Sequence, residues 1–100
     1  MSSKVLLIEN EAQPLARLRK FLKRKSIQVV RPNETESIFN LCTTERFTSI
    51  VIDERVFGER GKRFLENFKN YILPAGVELF VITPETADDL GGLYRKLSSQ

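Results

Sequence analysis

The chain contains no histidine. The commonest metal ligand and general base is therefore missing, which argues against hydrolases of the triad type. Its single cysteine, Cys42, excludes an internal disulfide; lying among apolar residues of a helical stretch, it reads as core filler in a reducing compartment. No apolar run approaches the length of a membrane span, so no membrane partner is expected. The first strand-like run begins almost at Met1, leaving no room for a signal peptide, and a cytoplasmic location is the expectation. No glycine-rich phosphate loop follows that run. Glu9-Asn10-Glu11 stands there instead and would repel a phosphate without a cation, which counts against a nucleotide-binding enzyme.

What is present fits one domain spanning residues 1–100. At 41% hydrophobic and 29% charged, the composition is that of an ordinary globular chain and argues against global disorder. The net charge of +3 is mild. Six bases cluster at Arg17, Arg19, Lys20, Lys23, Arg24 and Lys25. On a helix most of them fall opposite Leu15, Leu18 and Leu22, as a solvated face should. No direct nucleic-acid binding is therefore expected.

Apolar periodicity alternates between strand and helix along the chain. Lys4–Ile8 reads as a strand. Gln13–Lys25 reads as a helix with Pro14 in its first turn, and Glu11 complements its dipole. Ile27–Val30 is a second strand. Asn33, with Glu36 in capping-box position, starts a helix reaching about Thr44. Thr48–Ile52 is a third strand, followed by the loop Glu54–Gly61. A helix from Lys62 to about Tyr71 buries Phe64, Leu65, Phe68 and Ile72. Pro74-Ala75-Gly76 breaks it, and Val77–Ile82 is the fourth strand. The tail leaves two alternatives open. Asp88 could cap a helix carrying Leu90, Leu93, Tyr94 and Leu97, or residues 92–96 could form a short fifth strand. The order predicts an α/β fold, a doubly wound and mainly parallel sheet of four strands with the fifth in doubt.

Open α/β sheets place their chemistry at the carboxyl ends of the strands. Here those ends carry Glu9, Asp53 and Thr83. Two carboxylates brought close are unfavourable unless a cation intervenes, and hard oxygen ligands suit magnesium. A hydroxyl beside them could bond an anion held near Asp53. The matching chemistry is phosphoryl transfer onto a carboxylate.

With these residues in view, the sequence resembles the receiver domain of two-component response regulators, a flavodoxin-like fold. The resemblance runs from Lys4 to about Thr83. Lys4-Val5-Leu6-Leu7-Ile8-Glu9-Asn10-Glu11 is similar to the family's first strand and acidic pair, and Ile50-Val51-Ile52-Asp53 to the strand carrying its phospho-acceptor. Gly58 and Gly61 stand where its next loop has glycines, and Leu79-Phe80-Val81-Ile82-Thr83 is similar to the strand ending in its switch hydroxyl. The resemblance implies a phospho-acceptor at Asp53, a switch hydroxyl at Thr83, and Mg2+ held by Glu9, Asp53 and the carbonyl of Arg55. A histidine kinase or other signalling protein would be the phosphoryl source, since the chain has no histidine to act as donor. Such a domain is a signalling module in a phosphorelay and not an enzyme.

The departures point the other way. The acidic pair is Glu9-Asn10, so its second metal position is a neutral amide and Mg2+ binding is weakened. Pro84 follows Thr83 where the family has a small residue, which restricts that loop. Little chain follows Thr83, so Lys96 can match the phosphate-binding lysine only if a helix is deleted, and Leu97 then stands where proline belongs. Arg55 and Arg60 could offset lost magnesium charge or be solvated loop residues. The alternative function is thus a degenerate, non-phosphorylated receiver serving as an interaction or dimerisation module. A homodimer would cover the exposed edge of the fourth strand.

Overall fold

The computed structural model describes residues 3–10, 15–32, 35–86 and 89–98. Its elements are β1 (Lys4–Ile8), α1 (Ala16–Arg24), β2 (Gln28–Val30), α2 (Thr35–Thr44), β3 (Ser49–Asp53), a 3-10 segment (Glu54–Arg60), α3 (Gly61–Asn67), a π-helical turn (Phe68–Ile72), β4 (Glu78–Ile82) and α4 (Gly91–Ser98). The strands form one parallel sheet in the order β2-β1-β3-β4. Among the described residues this is the order of the first four strands of a flavodoxin-like doubly wound sheet.

β1 and β3 are central because their residues are apolar on both faces. Val5, Leu6, Leu7, Ile50, Val51 and Ile52 are all fully buried, as continuous apolar runs in a two-sided parallel sheet should be. Alternation then divides them. Leu6, Ile8, Ile50 and Ile52 face α2 and α3, meeting Ile38, Cys42, Phe47, Leu65 and Phe68. Val5, Leu7, Val51 and Ile82 face α1 and α4, meeting Leu15, Leu18, Leu22 and Leu97. Burial pushes the Cys42 thiol up in pKa, consistent with a core role.

In α1, Leu18 and Leu22 are buried while Arg17, Lys20, Lys23 and Arg24 are exposed, so the basic cluster is a solvated face. Lys23 and Arg24 in its last turn complement the helix dipole. The helix ends with Ser26 at φ 58°. Ser26 donates its N–H to the Lys23 carbonyl at 3.1 Å and Ile27 to that of Leu22 at 2.9 Å. This is a Schellman closure made without its usual glycine.

Two features differ from the sequence expectation, and the alternative left open in the tail resolves as helix. The segment after β3 is a 3-10 coil rather than an open loop, broken at Gly58, whose φ of 58° and ψ of −135° suit glycine. The helix starting at Gly61 widens into a π turn over Phe68–Ile72. Residues 92–96 are helical, because Leu93, Tyr94 and Leu97 at helical spacing pack on the α1 face. Tyr94 stacks on Phe21 of α1 at 4.4 Å between ring centroids. Pro14, Asn33 and Asp88, expected at helix starts, and Glu11 lie outside the described residues.

Candidate functional site

Asp53 closes β3 with its side chain fully buried. Such a carboxylate needs a counter-charge and hydrogen-bond donors, or its burial is prohibitive. Both come from Arg55. The backbone N–H of Arg55 donates to Asp53 Oδ1 at 3.0 Å, closing a turn at the strand end. Its guanidinium then folds back: Nε donates to Oδ1 at 2.9 Å and lies 3.2 Å from Oδ2, while Nη2 donates to Oδ2 at 2.6 Å. This is a two-pronged fork on both carboxylate oxygens, the strongest form of side-chain ion pair.

The carbonyl of Arg55 is also engaged. Asn10, just past β1, donates its Nδ2–H to it at 3.2 Å. A carboxylate at position 10 would set acceptor against acceptor and require a cation between them. An amide donor joins the two loops directly. Asn10 is thus a tie between β1 and the segment after β3, a role its reading as a weakened ligand did not foresee.

Glu9 turns the other way. Its Oε2 accepts the Leu15 N–H at 2.8 Å, holding the start of α1, and its Oε1 accepts from Arg31 Nη1 at 2.7 Å. Arg19 Nε adds a charge contact at 3.4 Å without hydrogen-bond alignment. The Glu9 side chain is only 7% exposed, and its oxygens are already committed. Arg31 reaches it because β2 lies beside β1 in parallel, Leu6 registering with Val30. Parallel pairing brings the residue after one strand alongside the end of the next.

Thr83 follows Ile82, the register partner of Asp53 on β4. Its hydroxyl belongs to a turn over residues 83–86. It lies 3.1 Å from Thr86 Oγ1, and the Thr86 hydroxyl accepts the Thr83 N–H at 2.9 Å. The Glu85 carboxyl, held below its ordinary pKa by its own backbone N–H, also accepts from the Thr83 hydroxyl. Lys96 stands on the exposed side of α4 and lines a groove with Leu79–Ile82 and Thr86. It is a helical residue, not one at the end of a fifth strand, because Leu97 rather than Lys96 meets the core.

Of the residues singled out in the sequence, Asp53, Arg55 and Asn10 are therefore joined by direct bonds. Glu9 serves α1, Thr83 serves its own turn, and Lys96 lies on α4. As arranged, these donors do not fit a magnesium ion. The Asp53 oxygens are taken by Arg55, those of Glu9 by Arg31 and the Leu15 N–H, and the Arg55 carbonyl by an amide. Among the described residues, no group of three or more acidic or cysteine side chains converges to hold a metal. The guanidinium of Arg55 supplies the positive charge beside Asp53.

Gly61 holds the segment's far end. A Cβ there would sit 2.8 Å from the backbone oxygen of Glu54. Gly61→Ala is expected to cost about 1–3 kcal/mol, the usual penalty for forcing atoms into a packed space. A urea titration checks it, and a loss below about 0.5 kcal/mol would show that the 54–61 turn can move aside.

No family model and no curated protein matches the chain. Among solved structures, it is similar to the MaeR response regulator bound to beryllium trifluoride, with a TM-score of 0.64 and 15% sequence identity. The match covers 98% of this chain and 79% of that one. The fold is accordingly that of a response-regulator receiver domain, with a four-stranded parallel sheet. No helix among the described residues is long and apolar enough to cross a membrane.

Proposed function

We propose that this receiver fold works in intracellular signal transduction as a non-catalytic protein-interaction module, presenting a fixed surface that does not depend on phosphorylation. The observation that carries the reading is the Arg55 fork on Asp53. A phospho-acceptor must expose an oxygen to its donor and share a cation with the incoming group. Asp53 has both oxygens bonded and no exposed surface. The Asn10–Arg55 tie and the Glu9–Arg31 pair support the same reading, since each uses up a group that metal-assisted transfer would need.

A specific observation favours a second reading. Asp53 ends the third strand of a fold shared with a regulator that binds beryllium trifluoride. If Arg55 swings aside, Asp53 could accept a phosphoryl group from a histidine kinase, with Mg2+ beside it and Thr83 turned inward. Incubation with acetyl phosphate and Mg2+, followed by intact mass spectrometry, separates the two. The module reading expects no phosphoryl adduct. A stoichiometric adduct abolished by Asp53→Asn would replace it with the phosphorelay reading.

A further inference from the structure

The two edges of the sheet are built differently. β2 is three residues long, bounded by the left-handed Ser26 before it and Arg31-Pro32 after it. Short length, a basic side chain and proline are the ordinary protections of an edge. β4 is longer and carries no basic side chain or proline within the strand, although Pro84 stands two residues past its end as Pro32 does past β2. It is five residues long, Glu78-Leu79-Phe80-Val81-Ile82, and among the described residues it pairs with β3 alone. A groove of about 410 Å³ runs along it, with Leu79–Ile82 on one side and Leu90, Leu93 and Lys96 on the other.

The backbone direction of β4 is fixed by its first bond. Glu78 donates its N–H inward to the Thr48 carbonyl at 3.4 Å. Alternation then turns Phe80 and Ile82 inward and the N–H and C=O groups of Leu79 and Val81 outward. We propose that β4 pairs antiparallel with β4 of a second copy of this chain, about a two-fold axis through Phe80, extending the sheet across the dimer.

This register satisfies every local requirement. Leu79 faces Val81 of the other copy, so the outward-pointing groups exchange hydrogen bonds in both directions. Phe80 faces Phe80 as a non-hydrogen-bonded pair, where side chains approach closest and aromatic pairs contribute most. Glu78 faces Ile82, so no like charges meet across the axis. The two-fold is normal to the sheet and keeps each face continuous: Leu79 and Val81 stay on the α2/α3 face, Phe80 and Ile82 on the α1/α4 face. A strand this short buries less than the roughly 1,200 Å² of a standard interface, so a dissociation constant of roughly micromolar or weaker is expected. The pairing stands whether or not Asp53 can be phosphorylated.

Sedimentation velocity over a wide concentration range tests it. The expected result is a concentration-dependent dimer, abolished by Val81→Pro. That substitution removes only an outward N–H, at an edge position where proline is tolerated, and circular dichroism should report an unchanged fold. A second variant reads the register without relying on that one. In a Cys42→Ser background, Phe80→Cys should cross-link to itself under oxidised glutathione. A facing pair of this kind has Cα atoms about 4.5 Å apart, within disulfide reach. Glu78→Cys, which faces Ile82, should not. A monomer at every concentration, a dimer indifferent to Val81→Pro, or equal cross-linking at positions 78 and 80 would overturn the proposal.

Discussion

Arg55→Ala is expected to destabilise the domain by about 3–5 kcal/mol, the range for stripping one partner from a buried ion pair. The size follows from who is left behind. The Asp53 side chain is fully buried, whereas that of Arg55 is 21% exposed. Removing the arginine strands a carboxylate that cannot reach water; the backbone N–H of Arg55 remains as a donor but carries no charge. At roughly 4–8 °C per kcal/mol for a domain of this size, the melting temperature should fall by more than 10 °C. Asp53→Asn should cost less, because the released guanidinium can turn to solvent. Arg55→Lys should recover only part of the loss, since a point charge cannot cover both oxygens as a planar fork does. Thermal and urea denaturation of the three variants give the ranking directly. A loss of less than about 1 kcal/mol for Arg55→Ala would place the pair among ordinary surface contacts.

Phe68→Ala should be comparably severe, at about 3–5 kcal/mol. Phe68 is fully buried among Leu6, Ile8, Ile50, Ile52 and Leu65. It also ends a run of rings: Phe57 stacks on Phe64 at 3.9 Å between centroids, and Phe64 lies 6.0 Å from Phe68. Phe57 belongs to the segment that begins just after Asp53 and carries Arg55. Losing the ring at position 68 therefore loosens the support of that segment as well as emptying core volume. Phe68→Leu keeps most of the apolar volume and should cost less than half as much. Chemical denaturation measures both, and near-equal losses would show that ring stacking rather than volume governs the site.

The fold was legible because its signals are redundant. The run Val5–Ile8 and the run Ile50–Ile52 are apolar at every position, which marks central parallel strands, and the Leu15/Leu18/Leu22 spacing marks the inner face of α1. The tail was ambiguous for a physical reason. Gly91-Gly92 disfavours helix locally, and only the packing of Leu93, Tyr94 and Leu97 against α1 decides in its favour. The widening at Phe68–Ile72 leaves no mark in the periodicity, because the same side chains stay buried. In the site, strand ends could be read but side-chain direction could not. Glu9 and Asp53 end neighbouring strands, yet Glu9 turns to the α1 terminus and Arg31. The departure at Asn10 was the most informative letter, since a neutral amide is a poor metal ligand but a good donor to a carbonyl. Arg55, two residues beyond Asp53, was visible as a candidate counter-charge. Its folding back onto the carboxylate follows from the turn that its own backbone N–H makes with Oδ1.

The central proposal is that the Arg55 guanidinium, rather than a metal ion, serves as the counter-charge to Asp53. Its most direct test is the NMR signal of the Arg55 Nε–H, followed while Mg2+ is raised to millimolar levels. The account predicts a slowly exchanging, ion-paired resonance whose shift does not change. A solvent-averaged resonance, or saturable Mg2+-dependent shifts of the Asp53 and Asn10 amides, would contradict it.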